Sequence, residues 1–166
     1  MPPTGASEDN DRPLTPAGAS AARELASSLA DEPIAAVYSS PYPRALQTAE
    51  PIAEQHGLSV EIVDDLRERL LSPQPLADWY AEVRRTWDDF DYALPDGESS
   101  RTAQGRAVGA LSGLAERHPY ATIAAVSHGN LIALALRADD PAVGFELWDA
   151  MPMPALYEIE VDPRKL

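Results

Sequence analysis

The residues TIAAVSHGNLIALAL, numbers 122–136, contain the pattern that decides the fold. The run 122–126 is short and largely apolar, which is typical of a strand buried on both faces. A polar turn, Ser-His-Gly, follows it, and helical spacing predicts an apolar helix over 130–136. A buried strand that leads at once into a helix is typical of a parallel sheet.

The residues IAAVYSSPYPRALQT, numbers 34–48, repeat this design earlier in the chain. A buried strand is predicted over 34–38, and helical spacing extends over 45–55. Because such strands alternate with helices, the sequence predicts an α/β fold, namely a three-layer sandwich with a mostly parallel central sheet.

The remaining segments predict further elements around these strands. Thr15 suits the N-cap of a first helix and Pro16 its first position. Beyond it, the patterns predict a helix as far as Ala30, a strand over 59–63, a helix over 76–90, a long helix from Ser99 or Ser100 to about Arg117, and a strand over 156–161.

The composition excludes several classes of protein. The chain has 166 residues, 13 basic and 27 acidic, a formal net charge of −14 and no cysteine. The length suits one domain over residues 1–166. The acidic excess argues against a nucleic acid or an anionic membrane as partner, and the lack of cysteine excludes disulfides and thiolate metal ligands. No apolar run approaches the roughly 20 residues of a membrane span, and the polar start is unlike a signal peptide, so we expect a cytoplasmic protein.

Two polar turns stand at the ends of the buried strands and predict a common site. Ligands bind at the carboxyl ends of parallel strands, and helix N-termini attract anions. Arg44 opens one of the following helices and His128 the other, so both side chains could converge on one phosphate. A histidine at a strand end is also often a structural hydrogen-bonding residue, and spacing alone leaves both interpretations open.

The motifs that surround these turns resemble those of the histidine phosphatase superfamily, also called the phosphoglycerate-mutase-like family. The resemblance extends over nearly the whole chain. Five motifs occur in the family's order: DRPLTPAG (11–18), VYSSPYPRALQTAEPIAE (37–54), LRER (66–69), PDGES (95–99) and AAVSHGNLI (124–132).

This resemblance implies phosphomonoester hydrolysis through a phosphohistidine, without a metal or another cofactor, on a small phosphorylated metabolite. Arg44 matches the family's second phosphate-binding arginine, and His128 matches its second histidine. Glu68 matches the carboxylic acid that protonates the leaving oxygen. Ser39 and Ser40 stand where the strand end approaches the phosphate.

Structural interpretations remain open beside these roles. Glu68 could be a solvated carboxylate between two arginines, and Ser39 and Ser40 could simply end a strand. Glu98 and Ser99 match the family's Gly-Glu-Ser motif, but Ser99 could equally be an N-cap.

One motif of the family has no counterpart in these 166 residues. The family's nucleophilic histidine ends a first strand, in an Arg-His-Gly or Arg-His-Ala sequence, before the LTPAG helix. Here residues 1–13 contain neither an apolar strand nor a histidine. His56 and His118 both stand at predicted helix ends, so neither replaces the nucleophile.

Three explanations follow, and each predicts little or no ordinary phosphatase turnover by this chain. In the first, the sequence is truncated and the strand lies upstream. In the second, a natural member lost the nucleophile and binds a phosphorylated ligand or a partner without turnover. In the third, altered chemistry uses His128 with Arg44 and Glu68. Without the strand we expect a gap in the sheet, closed by re-pairing of segment 156–161 or by a second copy in a homodimer.

Overall fold

The structure is a computed structural model and describes residues 10–161. Six helices, three strands and one short 3-10 turn are defined within these residues. In chain order they are α1 (Pro16–Ser28), β1 (Ile34–Ser39), α2 (Pro43–His56), β2 (Val60–Ile62), the 3-10 turn (Asp64–Leu66), α3 (Trp79–Asp88), α4 (Ser100–Arg117), β3 (Thr122–Val126), α5 (Gly129–Asp139) and α6 (Phe145–Asp149).

The three strands form a parallel sheet in the order β2-β1-β3. Val37 of β1 lies opposite Val60 on one side and Ala124 on the other, and Ser39 lies opposite Val126. The register therefore brings the carboxyl ends of β1 and β3 level with each other. The predicted α/β fold with a parallel sheet is confirmed.

Successive residues of a strand point to opposite faces of a sheet, and in this sheet helices pack on both faces. Val37 packs on one face with residues of α1 and α2, among them Ala26 and Ile52. Tyr38 packs on the other face with Leu114 of α4. A further apolar cluster joins α5 to α3, α4 and α6, and its buried members include Leu131, Leu134, Val83, Ala107 and Phe145.

Local sequence signals fix several helix ends as predicted. The Thr15 side chain accepts a hydrogen bond from the Gly18 N–H at 3.1 Å, with Pro16 at the first position of α1. Ser99 likewise caps α4 by accepting from the Thr102 N–H at 3.1 Å. Gly57 ends α2 in the left-handed conformation, at φ 66°, which glycine adopts without a steric penalty.

Two predictions about secondary structure were wrong. The strand predicted over 156–161 is not formed, and Leu156 is 59% exposed. Alternation alone cannot make a strand, because a strand also needs a partner edge. Among residues 10–161, β3 pairs only with β1, so the re-pairing expected of segment 156–161 does not occur either. The helix predicted over 76–90 is shorter, because the Asp78 side chain caps it by accepting from the Ala81 N–H at 3.0 Å.

No helix within residues 10–161 combines the length and the apolar character needed to cross a bilayer.

Candidate functional site

Hydrogen bonds hold the two polar turns together at the carboxyl end of the sheet. The Ser40 N–H donates to the Val126 carbonyl at 2.9 Å, which extends the β1–β3 pairing by one residue. Segment 63–69 runs past the carboxyl ends of β1 and β3. It is attached to the end of β1 by the Val63 N–H, which donates to the Ser39 carbonyl at 2.9 Å. The Ser127 hydroxyl also holds this segment, by donating to the Leu66 carbonyl at 2.7 Å. The predicted site residues from three separate segments therefore meet at one place.

His128 lies at the centre of this place, directly before α5. Its Nε2 lies 2.7 Å from the Ser40 hydroxyl, and both residues are buried, at 6% and 0% exposure. Burial, and then the positive charges of Arg44 and Arg106, lower the pKa of His128 to about 3. The imidazole is therefore neutral at physiological pH and exchanges a hydrogen bond with Ser40 in either tautomer.

Arg44 stands in the first turn of α2, which Tyr42 caps and Pro43 begins. The Arg44 guanidinium lies over the Tyr42 ring, 5.0 Å from the ring centroid. The same ring contacts the His128 imidazole, with centroids 5.0 Å apart. Sequence reasoning did not identify Tyr42. The only signal for it was its position between Ser40-Pro41 and Pro43, at the start of the helix that carries Arg44.

Glu68 is not the solvated surface carboxylate that one interpretation expected. One carboxylate oxygen accepts from the Arg69 N–H at 2.8 Å and the Leu131 N–H at 3.2 Å, and the other accepts from the Asn130 N–H at 3.3 Å. It therefore satisfies two of the free N–H groups in the first turn of α5, the helix that begins directly after His128. Burial of the carboxyl raises the pKa of Glu68, while these hydrogen bonds oppose the rise. A raised pKa suits a group that donates a proton near neutral pH.

A second arginine of the site comes from α4 and was missed by sequence reasoning. Arg106 makes a bidentate ion pair with Glu98, at 2.9 and 2.8 Å, and both side chains are largely buried. Its remaining nitrogen donates to the carbonyls of Asp65 and Arg67 at 2.6 and 3.0 Å. Glu98 of the Gly-Glu-Ser motif thus orients a cation near the imidazole. No local pattern pairs these residues, because the two carbonyls are 41 and 39 positions away from Arg106.

The serines predicted for the site differ in what they contact. The buried Ser39 hydroxyl donates to the Ser40 carbonyl at 2.9 Å, so it is used by the main chain. Ser40 instead holds His128 and also accepts from the Tyr42 N–H at 3.3 Å. Ser99 caps α4, as its structural interpretation expected.

The other two histidines of the sequence lie apart from His128. His56 is the last residue of α2, before Gly57. His118 follows the end of α4, and its Nε2 lies 2.6 Å from the Tyr38 hydroxyl. Both therefore stand at helix ends, as predicted.

A cavity of about 450 Å³ adjoins the segment that carries Glu68. Arg67 lines it together with residues of the loop before α4, among them Ala93, Asp96, Gly97 and Ser99. Gly97 is required there, because a Cβ at this position would lie 2.3 Å from the Leu71 carbonyl oxygen. Over the part of the chain that the structure describes, no cluster of histidine and carboxylate side chains could hold a metal ion.

Part of the chain is similar to a curated protein. A Mycobacterium tuberculosis protein, Rv0525, described as uncharacterized, is 49% identical over 55 residues. This match covers 33% of the present chain and 27% of the relative, so only about a quarter of the relative's length is matched.

Solved structures give matches over most of the described fold. Mycobacterial glucosyl-3-phosphoglycerate phosphatase Rv2419c in complex with inorganic phosphate is 27% identical, with a TM-score of 0.70 over 87% of this chain and 77% of that one. Bacillus stearothermophilus YhfR is 28% identical, with a TM-score of 0.68 over 87% and 75%. Phosphoserine phosphatase from Entamoeba histolytica, in complex with 3-phosphoglyceric acid, is 21% identical, with a TM-score of 0.72 over 92% and 78%, and supports the fold alone.

The family comparison covers almost the entire chain. Residues 4–164 match the Histidine phosphatase superfamily (branch 1). The fold agrees with this match, since the solved relatives named above include phosphatases with the same arrangement of helices and strands. The chain therefore belongs to branch 1 of the histidine phosphatase superfamily.

Proposed function

We propose that this chain binds the phosphoryl group of a small phosphorylated metabolite at the site formed by His128, Ser40, Tyr42, Arg44 and Glu68, here called the His128 site. The observation that carries the proposal is the neutral, buried imidazole of His128, held by Ser40 at 2.7 Å at the ends of two parallel strands. The charges of Arg44 and Arg106 act on this imidazole and are complementary to a dianion. The phosphate complex of the 27% identical mycobacterial phosphatase supports the same ligand class.

Each residue of the site has a role that its chemistry suits. Arg44 donates hydrogen bonds to phosphoryl oxygens, and neutral His128 donates or accepts one according to its tautomer. Glu68, whose pKa is raised by burial, supplies the proton that an ester leaving oxygen needs. We assign the organic part of the ester to the open cavity lined by Arg67, the residue before Glu68 in the chain.

We further propose that the 166-residue chain by itself turns over phosphomonoesters poorly. Its three histidines are His56, His118 and His128, and the first two lie at helix ends away from the site. His128 is held by Ser40 and corresponds to the family's second histidine, so phosphoryl transfer to a strand-end nucleophile has no acceptor in this sequence. Binding without turnover is the result.

Calorimetric titration with inorganic phosphate and with orthovanadate tests the binding proposal. We expect saturable binding to the unmodified chain and a loss of about a hundredfold in affinity for Arg44→Ala, because the variant loses charge-assisted hydrogen bonds to the anion. The matched control is Arg117→Ala, whose side chain pairs with Glu61 away from the site. Equal affinity of all three proteins would overturn the assignment.

Hydrolysis of an aryl phosphate tests the second proposal. We expect no rate above that of a His128→Ala variant. Appreciable hydrolysis by the unmodified chain that disappears in His128→Ala would instead favour altered chemistry in which His128 acts as a base or a nucleophile.

Association of two copies is a separate proposal. Within residues 10–161, β3 pairs only on its β1 side, and an open strand edge is a common site of strand addition. Leu156, Tyr157 and Ile159 are exposed apolar residues in the segment that alternates like a strand. We propose that this segment pairs with the β3 edge of a second copy. Light scattering that finds a stable monomer at micromolar concentration would exclude this arrangement.

A further inference from the structure

Tyr42 occupies a rigid position between the two halves of the His128 site. It is the N-cap residue of α2, with φ −73° and ψ 138°, and its N–H donates to the Ser40 hydroxyl at 3.3 Å. Pro41 and Pro43 flank it, and proline both fixes its own φ and restricts the residue before it to extended backbone. The backbone therefore determines where the ring of Tyr42 points.

The ring bridges the two groups that we assign to phosphate binding. On one side it contacts the His128 imidazole, with centroids 5.0 Å apart and planes inclined by 56°. On the other side it contacts the Arg44 guanidinium, 5.0 Å from the ring centroid, which is within the range of a cation–π interaction. The ring thus fixes the distance between the imidazole and the guanidinium.

The hydroxyl of Tyr42 is a hydrogen-bond donor placed among charged side chains. Burial raises the pKa of Tyr42, and the charges of Arg44, Arg67, Glu68 and Arg106 all act on the phenol. The phenol therefore keeps its proton at neutral pH. Among residues 10–161, no hydrogen bond involves this hydroxyl, whereas the hydroxyls of Tyr38 and Tyr92 are both bonded.

We infer that Tyr42 is an oxyanion-binding residue of this site, in which the ring holds Arg44 and His128 in place and the hydroxyl donates to an oxygen of the bound phosphoryl group. The inference rests on the proposed phosphate site and adds a ligand that neither the motifs nor the family comparison assign. A neutral O–H donor beside two cations complements a tetrahedral oxyanion, which can accept several hydrogen bonds at once.

Titration calorimetry of four proteins with inorganic phosphate tests this inference at pH 7. Tyr42→Phe removes only the hydroxyl and keeps the ring, so we expect an affinity about tenfold lower than that of the unmodified chain. Tyr42→Leu removes the ring as well, and we expect a larger loss. The control is Tyr92→Phe, whose hydroxyl donates to Glu82 at 2.9 Å on α3, and which should bind like the unmodified chain.

A second readout separates the ring from the hydroxyl. The nuclear magnetic resonance signal of the His128 ring protons should be unchanged in Tyr42→Phe and displaced in Tyr42→Leu, because only the latter removes the neighbouring ring. Thermal unfolding of each variant verifies that it is folded, and Tyr42→Phe carries the test if Tyr42→Leu does not fold.

The outcomes distinguish this inference from the function on which it rests. If the unmodified chain binds no phosphate, or if Arg44→Ala binds as well as it does, the proposed site fails. If Arg44→Ala loses binding but Tyr42→Phe stays within twofold of the unmodified chain, the site stands and the role of the Tyr42 hydroxyl is overturned.

Discussion

Two histidines of this chain lie in surroundings built from the same kinds of side chain. The His128 site combines His128 with a serine hydroxyl, Tyr42 and Arg44. The other region, called here the His118 cluster, comprises His118, Tyr38, Arg117 and Glu61. In it the Tyr38 hydroxyl lies 2.6 Å from His118, and the Arg117 guanidinium lies 5.2 Å from the centre of the Tyr38 ring.

The two regions differ in how their polar groups are used. In the His118 cluster, Arg117 makes two hydrogen bonds of 2.9 Å to Glu61, and the tyrosine is bonded to the histidine. The groups of the cluster therefore satisfy one another. In the His128 site, the Tyr42 hydroxyl has no partner within residues 10–161, and α5 begins directly after the imidazole. The same residue types therefore satisfy one another in the His118 cluster, whereas in the His128 site the Tyr42 hydroxyl is left for the ligand that we propose.

An arginine of α4 makes a bidentate ion pair close to each region, and the largest expected effect is the difference between these two pairs in their contribution to the free energy of unfolding. Arg106 pairs with Glu98, with the two side chains only 9% and 14% exposed, whereas Arg117 and Glu61 are about half exposed. Arg106→Ala leaves a buried carboxylate and two carbonyl groups without their partner, so we expect unfolding free energy to fall by about 3–5 kcal/mol. Arg117→Ala should change it only slightly.

Urea denaturation of the two variants measures this difference. Equal losses in Arg106→Ala and Arg117→Ala would contradict the distinction between a buried and an exposed pair.

The next largest effect concerns the pH dependence of stability. The pKa of His128 is lowered to about 3, so on acidification the unfolded chain, with an ordinary histidine pKa near 6.5, takes up this proton first. The stability due to neutral His128 is present above pH 6.5 and is lost as the pH falls towards 3, by about 3 kcal/mol between pH 7 and pH 4.

The difference between the unmodified chain and His128→Asn isolates this contribution. Glu68 acts in the opposite direction, because its raised pKa makes protonation favour the folded state, but it is present in both proteins. Unfolding free energies measured at steps between pH 7 and pH 4 should fall more steeply for the unmodified chain. Parallel profiles would show that His128 is not buried in neutral form.

Several features of the fold could be predicted from the sequence alone. The strand Thr122–Val126, the Ser99 cap and the Thr15-Pro16 helix start were predicted because each depends on neighbouring residues. The meeting of the two polar turns that contain Arg44 and His128 followed from the rule that parallel strands end at one edge, whereas the contact of His128 with Ser40 was seen only in the structure.

The features that sequence reasoning missed all depend on contacts between distant segments. Arg106 reaches carbonyls 41 and 39 positions away, and nothing near it in the chain signals that contact. Segment 156–161 alternates as a strand should, but pairing is decided by a neighbouring edge and not by alternation. Tyr42 was passed over because a ring contact with His128 requires the two turns to be placed in space.

A smaller effect separates the two tyrosines that contact these histidines. Tyr38 is 2% exposed, and Tyr38→Phe removes the partner of the His118 Nε2 without removing the ring. We expect a loss of about 1 kcal/mol in unfolding free energy, the usual net value of such a hydrogen bond, and unchanged affinity for inorganic phosphate. Urea denaturation and calorimetry measure the two quantities. Weakened phosphate binding in Tyr38→Phe would place the His118 cluster within the functional site.

The smallest expected effect on stability concerns one glycine in α4, the helix that ends before His118, and one in α5, the helix that begins after His128. A Cβ at Gly113 of α4 would meet nothing within 4 Å, whereas one at Gly129, the first residue of α5, would lie 2.7 Å from the Met153 methyl group. Gly113→Ala should therefore raise unfolding free energy by about 0.5–1 kcal/mol, because alanine loses less conformational entropy in a helix. Gly129→Ala should gain nothing, since Met153 must move away from the start of α5. Equal gains in thermal stability for both variants would mean that residues 151–153 do not pack against the helix that follows His128.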